Sequence, residues 1–223
     1  MNTAALHPQG SPEQVGPGDA HTGHPPREAT DSAGPASRRI IVGYGFWLFL
    51  LSDIIMFSAF FATYAVLSGA TDGGPTASQL FFDTHNVALE TACLLASSFA
   101  CGMASLAVAE RNQRWTQLAL LATGVLGAAF LGLELKEFAS LVARGAGPTR
   151  SAFLSSFFTL VGCHGLHITA GLLWLGTMMA QFLAKGFREN IRHRFLCFSL
   201  FWHALDIIWI AIFSLVYLNG SRV

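Results

Sequence analysis

The sequence predicts an all-α integral membrane protein, a bundle of five transmembrane helices. Its 223 residues are 52% hydrophobic and only 12% charged, whereas an ordinary soluble domain carries about a quarter charged residues. The apolar residues are gathered in five runs, each with the roughly 20 residues that a helix needs to cross the hydrocarbon layer. The runs show no period-2 alternation, which argues against an outer-membrane barrel.

The five runs set the order of the predicted helices, which cover about residues 42–67, 85–109, 118–141, 153–183 and 196–218. The first run starts shortly after Arg38 and Arg39 and is too long for a cleavable signal peptide. The fourth run is longer than one crossing needs, so we expect its helix to tilt or to protrude. Gly and Pro residues at 73–75 and 145–148 predict the turns after the first and third helices.

Residues 1–39 differ from the rest of the chain in composition. They hold Gly, Pro, Ser, Thr and His and almost no large apolar residue, so we expect a disordered polar tail. The tail has no apolar signal-peptide region, and its acidic residues are unlike those of a mitochondrial transit peptide. The predicted organisation is this tail, followed by a transmembrane domain over residues 40–223.

Basic residues are distributed unevenly between the two sides of the predicted bundle. One side carries Arg27, Arg38, Arg39, Arg111, Arg114, Lys185, Arg188, Arg192 and Arg194. The other side carries Arg144, Arg150 and Arg222. The positive-inside rule therefore predicts a cytoplasmic N-terminus and an external C-terminus. The formal net charge is zero, and without clustered Lys and Arg we expect no nucleic-acid partner.

Eight acidic and histidine side chains in the interior of the apolar runs are the candidates for a function, because a charge there costs about 2.5–3.5 kcal/mol on insertion scales. They are Asp53, Glu90, Glu134, Glu137, His164, His167, His203 and Asp206. At a rise of 1.5 Å per residue, the aspartates and histidines fall about 16–22 Å from the outer end of their runs and the glutamates about 6–11 Å. The sequence thus predicts a central and an outer polar layer.

Three roles are open for these residues. Polar pairs can hold helices together, each contributing about 0.6–2 kcal/mol. The depths let His164 pair with Asp206, and they let Asp53 meet either His167 or His203. Alternatively, His164 and His203 ligate iron, although the sequence lacks the Glu-x-x-His pairs of a di-iron bundle and the Cys/His sets of zinc or copper sites. The third role is a proton or lipid site.

The outer layer adds a constraint of its own. Glu90, Glu134 and Glu137 cannot all be ionised close together in an apolar interior. We therefore expect at least one of them to be protonated or to have an arginine partner such as Arg150. The four cysteines form no CxxC pair, so we expect them to be small buried hydrophobic residues rather than ligands.

Motifs in order along the chain resemble subunit III of the haem–copper terminal oxidases. They are Gly-Phe-Trp at 45–47, Leu-Ser-Asp at 51–53, Phe-Phe-Ala-Thr-Tyr at 60–64, Gly-Pro-Thr-Arg-Ser at 147–151, Gly-Cys-His-Gly-Leu-His at 162–167 and Phe-Trp-His-Ala-Leu-Asp-Ile-Ile-Trp at 201–209. The resemblance covers about residues 42–218. Five helices, a His-bearing tail and the Gly-Gly-Pro-Thr turn at 73–76 are similar to the cytochrome bo-type ubiquinol oxidase branch.

The resemblance implies a respiratory subunit that has no catalytic residue and binds no haem or metal itself. Haem and copper are then expected in subunit I, which reduces dioxygen and pumps protons, with ubiquinol as substrate of the complex. Subunits I, II and IV are the expected partners, phospholipid is expected in a cleft, and the bacterial cytoplasmic membrane is the expected location. The alternatives are subunit III of a cytochrome c oxidase, a nitric-oxide-reductase-associated homologue, or, in a different class, a free-standing b-type cytochrome or small transporter.

The resemblance also implies roles for the polar residues. Asp53 matches the family's carboxylate in a lipid-facing helix, and Glu137 matches a carboxylate that precedes an aromatic residue. Lipid-related or proton-related roles are therefore expected for Asp53, Glu90 and Glu137. A polar network that packs the helices together is expected for His164, His167, His203, Asp206, Glu134 and Arg150.

Overall fold

The computed structural model describes residues 38–76 and 84–218. Within these ranges the chain is helical, without strands, and five helices are long and apolar enough to cross a membrane. The helices are α1 (Arg38–Leu67), α2 (Thr84–Ala109), α3 (Gln113–Ala143), α4 (Ala152–Lys185) and α5 (Glu189–Ile212). A π-helical segment, Phe213–Leu218, continues α5. The predicted fold class is confirmed; the predicted tail lies outside the described residues, apart from Arg38 and Arg39, which belong to α1.

Helices α3 and α5 begin several residues before the apolar runs that predicted them. The apolar run marks only the part of a helix that crosses hydrocarbon, whereas the helix itself continues into its polar first turns. The start of α3 is fixed by Asn112, whose side chain accepts a hydrogen bond from the backbone N–H of Trp115. Arg111, just before it, has a positive φ of 56° that turns the chain between α2 and α3.

Helices α2, α3, α4 and α5 form a closed arrangement, because α2 packs on α3 and α5 while α4 also packs on α3 and α5. Helix α1 stands outside it and packs on α4 and, less extensively, on α5. Only 11% of the most apolar window of α1 is buried inside the chain, against 56% for the last span, which comprises α5 and the π-helical segment. Helix α1 is therefore peripheral and α5 is the central helix.

The indole of Trp202 occupies the centre of the bundle, next to a glycine in each of two other helices. A Cβ placed on Gly127 of α3 would lie 2.8 Å from Cζ2 of Trp202, and one on Gly171 of α4 would lie 2.8 Å from Cζ3. Both distances are far below ordinary van der Waals contact. These two glycines therefore let α3 and α4 both pack closely against one aromatic ring.

Candidate functional site in the helix bundle

Hydrogen bonds from tryptophan side chains join α5 to α2. The Nε1–H of Trp209 donates to Oγ1 of Thr91 at 3.1 Å, and the Nε1–H of Trp202 donates to Oγ of Ser97 at 3.1 Å. Ser97 in turn donates to the carbonyl oxygen of Thr123 on α3 at 3.0 Å. Buried indole and hydroxyl groups need such partners in an apolar interior. Three helices are thus linked through one serine.

His203 and Asp206 face α2 at the same interface. Oγ of Ser98 and Nδ1 of His203 lie 2.6 Å apart. Ser98 and His203 are also the polar neighbours of the Asp206 carboxylate. Sequence reasoning missed Ser97 and Ser98, although small hydroxyl residues in the middle of a predicted span are the usual partners of such groups.

Asp53 and His167 join the peripheral helix α1 to α4. Oδ2 of Asp53 lies 3.9 Å from Nε2 of His167, the one acid–base pair at salt-bridge distance between residues in the described ranges. The Nδ1–H of His167 donates to the carbonyl oxygen of Cys163 at 2.7 Å, which turns Nε2 toward the carboxylate. The Phe57 ring lies 5.3 Å from the imidazole. His167 is one of the two partners that the predicted depths allowed for Asp53.

The predicted pairing of His164 with Asp206 is wrong. His164 is fully buried, and its ring stacks on Trp209 with 5.3 Å between centroids and 28° between planes. It also meets the Phe130 ring edge-on at 5.8 Å. Neither of its ring nitrogens has a hydrogen-bond partner among the described residues. The depths were compatible, but Asp206 lies by Ser98 of α2, and the ring of Trp209 occupies the place beside His164.

The three glutamates of the outer layer lie together with a tyrosine, and we call Glu90, Glu134, Glu137 and Tyr217 the carboxyl cluster. Glu90 and Glu134 are 1% and 2% exposed, and the two interact electrostatically with each other and with Glu137. The hydroxyl of Tyr217 donates to Oε2 of Glu137 at 3.4 Å. Sequence reasoning missed Tyr217 because the π-helical segment changes the helical phase after α5.

Arg150 is not the arginine partner suggested for this cluster, and the other alternative, a protonated glutamate, stays a prediction. The residue is exposed in the turn before α4, and it makes no ion pair with a glutamate within the described ranges. Glu134 instead lies against the backbone of α4. Its Oε1 is 2.9 Å from the position that a Cβ on Gly165 would take. The outer layer therefore reaches the helix turn that carries His164 in the central layer.

A groove of about 690 Å³ opens between the first half of α1 and the facing ends of α4 and α5. Phe46, Phe49 and Trp174 are among its apolar lining residues, and His193 and Arg194 are among its polar ones. We call it the α1 groove. An apolar groove with basic side chains near one end has the chemistry that suits an amphiphile with a negatively charged head.

Fold and site together define a class, a polytopic helix-bundle membrane protein whose buried polar side chains connect its helices. In the described part of the chain, no group of three or more His, Cys, Asp or Glu residues could hold a metal ion. The cysteines there are free thiols.

Comparisons with known proteins identify the family. Cytochrome c oxidase subunit III matches residues 33–221, and the chain therefore belongs to this family, the accessory subunit III of haem–copper oxidases. The "cytochrome bo(3) ubiquinol oxidase subunit 3" of Pseudomonas aeruginosa is 49% identical over 91% of this chain and 94% of its own. The protein of the same name from Pseudomonas putida is 48% identical over 79% of this chain and 84% of its own length. "Cytochrome c oxidase subunit 3" of Bacillus sp. PS3 is 42% identical over 79% of this chain and 84% of its own length.

These findings confirm the resemblance drawn from the sequence motifs. Five spans and bacterial relatives of this family make the chain a multi-pass protein of the inner membrane. Membership in an oxidase subunit family also means that it works with other oxidase subunits.

Proposed function

We propose that the chain is the non-redox subunit III of a proton-pumping cytochrome bo-type ubiquinol oxidase in aerobic respiration. In this proposal subunit I carries haem and copper, subunits II and IV complete the complex, and ubiquinol is its substrate. One observation carries the proposal. The Pseudomonas aeruginosa relative, which is matched over 91% of this chain, is named for a ubiquinol oxidase.

Two features of the fold support a role as a docked subunit. Helix α1 presents a largely exposed apolar face, on which Tyr44, Trp47 and Ile55 are 66%, 52% and 70% exposed. An apolar face of this size suits lipid or another transmembrane subunit. The polar groups of the bundle point the other way, into helix–helix contacts, so we propose that they stabilise the subunit rather than carry electrons.

The individual polar residues receive roles in the same proposal. His167 and Asp53 hold α1 on α4 at 3.9 Å, and His203 with Asp206 holds α5 on α2 through Ser98. We retain a helix-packing role for His164 and Glu134, both buried where α3 and α4 meet. Glu90, Glu137 and Asp53 are the candidates for lipid-related or proton-related functions. For Arg150, which is exposed in the turn before α4, we propose no role in the polar network.

We propose a cytoplasmic N-terminus and an external C-terminus. The α2–α3 turn, with Arg111 and Arg114, and the α4–α5 turn, with Lys185 and Arg188, carry more basic residues than the opposite turns. Single cysteines introduced at Gly186 and at Gly73 test this, because a membrane-impermeant thiol reagent added to intact cells should label only Gly73→Cys. Labelling of Gly186→Cys alone would reverse the orientation.

We propose that the α1 groove holds a phospholipid. Acyl chains fit against Phe46, Phe49 and Trp174, and the phosphate lies near Arg194 and His193. Native mass spectrometry of the purified complex should detect a retained phospholipid, and Arg194→Gln should reduce its retention. Arg114→Gln, in a different turn of the same membrane side, is the matched control. Equal retention in both variants would contradict this assignment.

The function is tested by purifying the oxidase through an affinity tag on this chain. We expect a larger subunit to co-purify, the haem spectrum to belong to that subunit, and the complex to oxidise ubiquinol. Oxidation of reduced cytochrome c but not ubiquinol would select the cytochrome c oxidase alternative. A haem spectrum on this chain alone, with no larger subunit, would reject the proposal in favour of a free-standing cytochrome.

A further inference from the structure

Two buried glutamates of the carboxyl cluster have carboxyl oxygens without a hydrogen-bond partner among the described residues. Glu90 Oε2 and both carboxyl oxygens of Glu134 have no hydrogen-bond partner in the part of the chain that the structure describes. Neither residue makes an ion pair there. Because both are almost fully buried within this chain, their environment is set by the bundle rather than by a docked subunit. A bare carboxylate in such surroundings is strongly unfavourable.

His164 is a second buried polar side chain beside the same region. It is 0% exposed, and both ring nitrogens lack a hydrogen-bond partner among the described residues. It directly precedes Gly165, whose missing side chain leaves room for the carboxyl group of Glu134 at 2.9 Å from the Cβ position. Its ring also packs on Phe130, one helical turn before Glu134. The carboxyl group of Glu134 thus lies against the residue that follows His164 at the α3–α4 contact.

Buried polar atoms in proteins almost always have a partner, either a protein group or an ordered water molecule. Five such atoms belong to three residues of α2, α3 and α4: Glu90 Oε2, Glu134 Oε1 and Oε2, and His164 Nδ1 and Nε2. Glu134 links the three residues, because it interacts with Glu90 and lies against Gly165, the neighbour of His164. Water is the partner that suits them, because it can donate to a carboxyl oxygen and accept from a carboxylic acid or an imidazole N–H.

We propose that Glu90, Glu134 and His164 form a binding site for internal water and exchangeable protons inside the bundle. At least one of the two glutamates is a carboxylic acid whose O–H donates to a water molecule. That water donates in turn to the other carboxyl group or to a ring nitrogen of His164. Glu137 is only partly buried and interacts with both glutamates, so it offers the path along which this proton exchanges with the surface.

This inference extends the proton-related role proposed for Glu90 and Glu137, and it does not depend on which electron donor the oxidase uses. Infrared spectra of the assembled oxidase, recorded in H₂O and in D₂O, test it. We expect the C=O stretching band of protonated carboxyl groups to lose intensity in Glu134→Gln or in Glu90→Gln. In the unaltered complex the same band should move to lower frequency in D₂O, because water reaches the site.

Glu189→Gln is the matched control, since Glu189 is exposed in the first turn of α5 and its loss should leave the band unchanged. The proposal is overturned if neither Glu134→Gln nor Glu90→Gln reduces the band, because both groups would then be ionised. It is equally overturned if the lost band does not respond to D₂O. Should both variants fail to assemble, a high-resolution map of the unaltered oxidase decides, since the site requires water density within hydrogen-bond distance of Glu134 or His164.

Discussion

Replacing Gly127 by alanine tests the insertion of Trp202 between α3 and α4. The added Cβ would lie 2.8 Å from Cζ2 and 2.9 Å from Cη2 of the indole. Carbon atoms in ordinary contact are about 3.5–4.0 Å apart, so the overlap is about 0.7 Å or more. The ring cannot move away freely, because Trp202 is 1% exposed and its Nε1–H is bonded to Ser97. Its far edge already touches the backbone region of Gly171.

The expected loss of stability follows from this confinement. Overpacking a well-packed core costs about 1–3 kcal/mol. At 1.4 kcal/mol for each factor of ten, this corresponds to roughly a 5-fold to 150-fold change in the equilibrium between the folded and unfolded chain. The assay is the temperature at which this subunit is lost from the detergent-solubilised oxidase. We expect Gly127→Ala to lower that temperature and Gly171→Ala to do the same.

Gly132→Ala is the matched control for the same helix. No atom lies within 4 Å of its Cβ position, and alanine favours a helix over glycine by about 1 kcal/mol, so stability should be unchanged or slightly raised. The loss in the double variant of Gly127 and Gly171 should differ from the sum of the single losses, because both methyl groups act on the same ring. Equal behaviour of Gly127→Ala and Gly132→Ala would refute the position assigned to Trp202.

Three further predictions concern the polar contacts and metal content. Ser98→Ala should destabilise the bundle by about 0.6–1.7 kcal/mol, from the average to the largest value for hydrogen bonds between membrane helices. Ser58→Ala, at an exposed position, is the control, and an unchanged thermal midpoint in Ser98→Ala would contradict the contact with His203. Asp53→Asn should increase hydrogen exchange in α1 more than in α5, because it weakens the attachment to His167; equal change in both helices would contradict that attachment. Metal analysis of the subunit separated from the complex should find no stoichiometric iron or copper, and one ion for each chain would contradict a non-redox role.

The five helices could be predicted from the sequence, but their rotation could not. Run length and the rise of an α-helix gave five spans and placed Asp53 and His167 at similar depth. Helices that are apolar on nearly all sides carry little phase information, so the side of α5 that faces α4 stayed open. This is why the pairing of His164 with Asp206 was a reasonable prediction and a wrong one.

Contacts that depend on small residues were also beyond the sequence. The roles of the Ser97 hydroxyl and of Gly127 follow from the position of the Trp202 indole between the helices, which the sequence does not give. Tyr217 reaches the carboxyl cluster through a π-helical segment, and an α-helical phase extended from α5 would have directed it elsewhere. Arg150 was expected near the cluster from its place along the chain, but the exposed turn keeps it away.

The position of α1 has a consequence for biosynthesis. Its contacts are mainly with α4 and α5, which leave the ribosome after α2 and α3, whereas α1 has little contact with α2 or α3. During translation α1 must therefore reside alone in lipid until the C-terminal spans are integrated and His167 can meet Asp53. Its exposed face is available throughout that interval, so a companion subunit or an insertion factor can engage the nascent chain before the bundle closes.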